Sequence, residues 1–371
     1  MSHRVPAETP TLSVQMTSAP ADAATRAGLL ENPGFGTLFG EHMVRIDYTA
    51  EGGWGRSSLV PYGPISLPPT AAVFHYAQAA FEGLKAYPLA DGGVGVFRPE
   101  SNAARMNRSA YRLAMPALPV ERFVEAIDAL VTADSGWVPT GEGQTLYLRP
   151  VMFATEEVLQ VRPASRFSFF VLDSPSGSYF RGGVKPVTVW VSEEYSRAAP
   201  GGTGAAKAAG NYAASLAAQM AATEAGCDQV VWLDAVERTT IEEMGGMNLF
   251  FVLGSGDDVR LVTPELTGTL LPGITRDSLL QLGRDLGYTI EERRVTMDEW
   301  RAGNADGTIS EAFACGTAAV ITPIGRVKSR IDDFAVGDGG FGPVAARLRE
   351  LLLGIQHGTE PDRHGWLHRV I

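Results

Sequence analysis

Short apolar runs broken by glycine and proline open the patterned part of the chain at His42, in "HMVRIDYTAEGGW" and "LVPYGPISL", and predict strands separated by turns. The period then lengthens. Met106, Ala110 and Leu113 recur at i, i+4 and i+7 behind Ser101, which predicts a helix capped by that serine; Phe123, Ile127, Leu130 and Val131 predict a second helix over about 120 to 134. Strands resume at "TLYLRPVMFA" and "RFSFFVLDSP", both rich in aromatic and β-branched residues. Past the Gly/Ser/Pro-rich "SPSGSYFRGGVKP" come four strand-like runs, "VTVWVSEEY", "QVVWLDA", "MNLFFVLG" and "RLVTPEL", mixed with helices near 211–225, 275–287 and 343–356. Elements of both kinds on either side of that break predict an α+β chain of two domains. A small α+β domain is expected over 29–174, a linker over 175–186 and a large domain over 187–371. Residues 1–28, rich in Ala, Pro, Thr and Ser without periodicity, are expected to be an extended or disordered lead-in.

Composition narrows the partners. The 371 residues are 45% hydrophobic and 20% charged, the mix of an ordinary globular protein long enough for two cores. A formal net charge of −11 argues against nucleic acid, whose phosphates demand concentrated Lys and Arg. Cys227 and Cys315 form neither a CxxC pair nor a zinc-like spacing, so no disulfide framework and no metal is expected. No apolar run approaches the roughly 20 residues of a membrane span, and the N-terminus lacks the apolar core of a secretory signal. The expected compartment is the cytoplasm.

Candidate chemistry centres on Lys207, in "PGGTGAAKAAGNYAAS", where it has Gly and Ala neighbours and no adjacent charge. Among small apolar residues an ammonium loses hydration, which favours the neutral, nucleophilic amine; the segment also reads as a surface lysine in a flexible loop. Other segments supply complementary parts for one cofactor, pyridoxal 5'-phosphate (PLP), which needs a lysine, an acid at its pyridine nitrogen and an anion cradle. Glu243, in "TTIEEMGGMNLFF", enters a Gly-Gly turn from a strand-like stretch; its neighbour Glu242 should face the other way and reads as an exposed turn acid. In "LLPGITRDSLLQLG" Thr275 is placed to cap a helix whose free N–H groups suit a phosphate, although ordinary capping is the commoner use of such a residue. Arg105, Arg108 and Arg112 form a basic row that periodicity alone does not resolve. "EAFACGTAAVITP" reads as a strand broken by Gly316-Thr317-Ala318, a turn able to present N–H groups to an anion or to be an inert strand end. Phe35, Tyr76, Phe81, Tyr147 and Tyr179 lie near candidate turns, where they are core residues or the apolar wall of a pocket for an aliphatic chain.

From about residue 33 onward the sequence resembles the branched-chain amino-acid aminotransferases, members of the fold-type IV PLP enzymes. The resemblance is carried in order by "FGTLFGEHMV", "HYAQAAFEGLKAY", "NAARMNRSAYRLAMP", "LYLRPVMFAT", "GGTGAAKAAGNYAAS", "EEMGGMNLFFV", "LLPGITRDSLL" and "ACGTAAVITP". It implies a small α/β domain joined to a larger pseudo-barrel α/β domain, a homodimer whose sites are completed by the partner, and reversible ping-pong exchange between L-leucine, L-isoleucine or L-valine and 2-oxoglutarate. Their products are branched 2-oxo acids and glutamate. It further implies that Lys207 carries the cofactor, that Glu243 meets the pyridine nitrogen and Tyr212 the phenolic oxygen, and that Arg105, Ile274, Thr275 and Thr317 hold the phosphate. Phe35, Tyr76, Phe81, Tyr147 and Tyr179 would line the substrate pocket, Thr317 and Ala318 would bind the α-carboxylate, and Arg149 the second carboxylate of glutamate. The chain departs from its relatives at Ala208-Ala209-Gly210, where a bulkier residue is common, and at Ala319-Val320-Ile321-Thr322, which replaces the animal CVVC pair. Other fold-type IV enzymes, the D-amino-acid aminotransferases and aminodeoxychorismate lyases, share lysine, acid and cradle; the aromatic set and Arg149 favour the branched-chain group. A PLP-binding protein without turnover is a further alternative.

Overall fold

A computed structural model describes residues 12–177, 184–256 and 258–371. Period-2 patterning builds a ten-stranded sheet first. Its path runs Ser13–Val14, Ser58–Pro61, His42–Thr49, Arg166–Ser176, Thr145–Ala154, Leu84–Pro88, Val94–Phe97 and Leu367–Arg369, with Gly53–Trp54 and Ala79–Phe81 paired alongside. Strand Thr145–Ala154 shows how one sequence serves two surfaces. Leu146, Leu148, Met152 and Ala154 are buried beneath the helices Pro99–Arg112 and Val120–Ala133, while Tyr147 and Arg149 face the opposite way.

The second sheet has nine strands, and six of them close on themselves. Ile241–Met244 pairs with both Gln229–Leu233 and Met247–Leu253, completing a ring through Val187–Ser192, Val320–Lys328 and Ile309–Gly316. The ring is the expected barrel. Alternation again sorts its side chains: Met247, Leu249 and Phe251 join a cluster around Trp300, and Phe250 and Val252 join another with Leu279 and Leu348. We propose that the two domains meet between Ser176 and Val187, inside the expected 175–186 linker. The C-terminal strand Leu367–Arg369 crosses back to pair with Val94–Phe97 of the first sheet, so the chain from 187 onward is not wholly confined to the second sheet.

Several local expectations are corrected. The lead-in is ordered from residue 12: Ser13–Val14 pairs with Ser58–Pro61, and Asp22 caps a helix, Ala23–Leu30. Its partners are distant in sequence, since Thr17 N–H donates to His42 Nε2 (3.0 Å) and Ala21 N–H to Glu41 (2.5 Å). Ser101 is not a cap. Arg98, in the left-handed region at φ 52°, precedes Pro99, whose fixed φ starts the helix three residues earlier. Thr275 is not a cap either, because the helix Ile274–Asp285 begins after Gly273. The helix expected near 211–225 is two, Ala209–Ala213 and Leu216–Glu224, and Met297–Asp306, capped by Thr296, was not anticipated.

Trp300 is fully buried, edge-on to Phe251 and Phe334. Trp300→Ala should therefore cost about 3–5 kcal/mol, read as a lowered urea midpoint.

Candidate active site

The segment after Ala198 reaches the first sheet as a strap. Lys207 N–H donates to Ser109 Oγ (3.0 Å), and Lys207 C=O accepts from Phe81 N–H (3.1 Å). Asn211 holds the strap from within by donating to the carbonyls of Thr203 (2.8 Å) and Ala206 (2.9 Å). So fixed, Lys207 is half-buried and sends Nζ into a cavity of about 410 Å³, where it donates to Tyr212 Oη (3.1 Å) and lies 4.9 Å from the Phe81 ring centre.

Phe35, Phe81 and Tyr147 line one wall, with the Phe35 and Tyr147 rings edge to face at 5.3 Å. Arg149 stacks 4.8 Å from the Phe81 centre and donates to Tyr147 Oη (3.1 Å), while its buried Nε has no hydrogen-bond partner among the described residues. Opposite lie Ile274 and Thr275 at a helix start with no side-chain cap, and the Thr317-Ala318 turn of a hairpin. Gly273 is required there, because a Cβ would sit 2.0 Å from Asn248 Oδ1.

Burial separates the basic row that sequence left unresolved. Arg108 is exposed, and Arg112 reaches the carbonyls of Gly201 (3.0 Å) and Gly202 (3.2 Å). Arg105 is 3% exposed and lines the cavity; Nε and one terminal nitrogen grip Glu82 at 2.8 and 2.7 Å, and the other nitrogen donates to Pro272 C=O (3.3 Å). Glu82 was missed. Its signal was a lone acid between Phe81 and Gly83 in an apolar strand-like run, a setting that demands a buried partner.

Glu243 lies behind Arg197 and Leu271, which line the cavity. Its carboxylate accepts from Leu271 N–H (2.5 Å) and faces Arg197 Nε at 3.2 Å. Burial pushes the Glu243 carboxyl above its ordinary range, against the pull of Arg197 and Leu271 N–H. Arg197, isolated in "EEYSRAAP", gave no sequence signal. Glu242 corrects its expectation: it faces away from Glu243 but is 4% exposed and accepts the Thr269 hydroxyl.

Among the described residues one member of the expected pocket is not brought in. Tyr76 is exposed, bonded to Leu159 C=O away from the cavity. Tyr179 lies outside the described residues. Among the described residues Arg105, Arg149, Arg197 and Lys207 line the cavity and no carboxylate does, in a chain of net charge −11. Such a lining favours anionic ligands. The residues fit PLP: a lysine amine, a hydroxyl beside it, a buried acid, and an uncapped helix start next to an arginine with one nitrogen directed at the Pro272 turn.

Comparison with known proteins gives the family. The profile of the amino-transferase class IV family matches residues 79–327. The chain is 56% identical over 359 residues to the branched-chain-amino-acid aminotransferase of Mycolicibacterium smegmatis, covering 96% of this chain and 98% of that one. Its fold is similar to that of the Escherichia coli branched-chain amino acid aminotransferase (TM-score 0.74, 28% identity, 90% and 100% covered). It is also similar to a second branched-chain amino acid aminotransferase, solved in complex with N-(5'-phosphopyridoxyl)-L-glutamate (TM-score 0.72, 30% identity, 88% and 98% covered).

Glu82→Gln should leave the Arg105 guanidinium buried without its counter-charge. A loss of about 3 kcal/mol in urea unfolding is expected, with faster release of cofactor on dialysis.

Proposed function

This chain belongs to the amino-transferase class IV family, of fold type IV, and from that premise we propose how its own residues carry a PLP-dependent transfer of the amino group of branched-chain L-amino acids to 2-oxoglutarate. The single observation that carries the reading is a cavity with a strapped lysine and, among the described residues, only cations in its charged lining.

The cofactor supplies an aldehyde that captures the substrate amine and a ring that draws negative charge from the substrate Cα. Arg105, the backbone at Ile274 and Thr275, and Thr317 hold its phosphate, the helix start adding partial positive charge. Glu243 keeps a proton at the ring nitrogen, and Arg197 and Leu271 N–H fix that carboxylate in place. Lys207 Nζ would first hold the cofactor, then take the Cα proton and return it to the cofactor's former aldehyde carbon, on the far side of the nitrogen; Tyr212 Oη keeps the amine in position for both steps. Thr317 and Ala318 receive the α-carboxylate, and Arg149, whose buried Nε has no hydrogen-bond partner among the described residues, serves the second carboxylate of glutamate. Phe35, Phe81 and Tyr147 shelter the aliphatic chain. Because one pocket takes both donors in turn, the kinetics are ping-pong.

We place the enzyme in the cytoplasm as a homodimer. Tyr76, Phe74, Leu159 and Val161 form an exposed apolar group away from their own cavity, the kind of surface a second copy covers while completing a neighbouring site. No helix among the described residues is long and apolar enough to cross a membrane.

Lys207→Ala should abolish both transamination and the visible absorbance of lysine-bound cofactor; turnover at the normal rate would refute the assignment. Glu243→Gln should retain cofactor yet slow the half-reaction with L-leucine about 100-fold in stopped flow, and an unchanged rate would remove its role. L-Leucine, L-isoleucine and L-valine should convert the cofactor to its amine form where D-alanine does not.

A further inference from the structure

The strand Leu84–Pro88 alternates like its neighbours. Leu84 and Ala86 enter the core of the first sheet, while Gly83, Lys85 and Tyr87 face the second. Along that row Gly83 lines the cavity and Tyr87 packs in a core cluster with Phe313 and Val320. Lys85 stands between them, 5% exposed, in register with Tyr147. It is outside the cavity lining. Its Nζ crosses the seam between the sheets and donates to Ala318 C=O at 2.9 Å. No carboxylate pairs with Lys85 among the described residues.

A buried lysine without a counter-ion is costly, and this one is spent on a single carbonyl in the turn that faces the substrate. That turn needs an external hold: it is a short link between two strands, and Val320 just after it adopts φ 62°, a left-handed conformation unfavourable for a β-branched residue. We propose that Lys85 is a positioning residue for substrate carboxylates, fixing the Thr317-Ala318 turn from the opposite sheet and placing an unneutralised positive charge beside it. The inference rests on the reading that this turn receives the α-carboxylate.

The charge is adjustable in the physiological range. Burial, and then repulsion from Arg349 on the helix Pro343–Gln356, lower the Lys85 ammonium to about 7. Among the described residues the other titratable groups on that face are Tyr147, in register with it, and Tyr87, two residues along its own strand; the flanking strand Val94–Phe97 and the turn itself carry none. The ammonium is present below about pH 7 and lost above it, while the neutral amine still donates to Ala318. Rising pH therefore removes attraction for the carboxylate and leaves the turn in place. A bound carboxylate in turn favours the protonated lysine.

The test uses holoenzyme and 4-methylpentanoate, the leucine skeleton without its amine, titrated calorimetrically at about pH 6 and about pH 8.5, where the probe's carboxylate stays ionised. Wild type should bind about tenfold more weakly at the higher pH, the scale of one partly screened charge a few ångströms from a carboxylate. Lys85→Arg, whose guanidinium stays charged, should lose most of that dependence. Lys85→Met should bind about tenfold more weakly at the lower pH, raise KM for L-leucine, and hold kcat within about threefold with the cofactor's visible absorbance intact. The proposal is overturned if Lys85→Arg shows the wild-type pH dependence, or if Lys85→Met binds the probe as wild type does. If wild-type holoenzyme with normal visible absorbance does not bind 4-methylpentanoate at all, the carboxylate reading of the turn fails first and takes this one with it.

Discussion

The site depends on a seam between two sheets held by cations bonded to backbone carbonyls. Arg105 reaches Pro272, Arg112 reaches Gly201 and Gly202, and Lys85 reaches Ala318. Each cation belongs to the first sheet or its helices, and each carbonyl to a loop or turn beside the cavity. A carbonyl satisfies a donor without cancelling its charge, so these loops are ordered while the cavity stays positive. An ion pair would order them as well but would neutralise the field. Arg105 has both: Glu82 fixes the guanidinium at two nitrogens, and the third reaches the far side of the seam.

Such an arrangement is expensive without its ligand. Of the four cations lining the cavity, Arg105 and Arg197 are answered from behind by Glu82 and Glu243, while Arg149 and Lys207 have no carboxylate partner among the described residues, and the protein offsets that cost through burial elsewhere, in Trp300, Phe250 and the helices beneath the first sheet. A phosphate at the helix start and a carboxylate at the turn supply the missing negative charge, so cofactor and substrate act as structural counter-ions as well as reactants. The same logic explains how one pocket serves an aliphatic and an acidic substrate. Phe81 is stacked beneath Arg149, giving the site an apolar face and a charged edge at one place.

Much of this was legible in the chain. Alternation in "TLYLRPVMFA" separates Leu146 and Leu148 from Tyr147 and Arg149, and the Gly/Ala setting of Lys207 marks a segment that had to pass close to other backbone. What escaped depends on contacts distant in sequence. The lead-in looked unstructured because its order comes from His42 and Glu41, and Glu242 looked exposed because Thr269, which buries with it, lies 27 residues away. Local rules also competed: Pro99 outweighed Ser101 at one helix start, and Gly273 displaced Thr275 at another because Asn248 leaves no room for a side chain. Arg105 could not be told from Arg108 by period, since only burial against Glu82 separates them.

At the centre is the claim that one lysine holds the cofactor. The chain has four lysines, at positions 85, 185, 207 and 328, so the question has a short answer. Borohydride reduction of the purified holoenzyme, followed by peptide mass spectrometry, should find the phosphopyridoxyl group on Lys207 alone. A label on another lysine, or none on Lys207 in protein that retains its visible absorbance, would contradict the account.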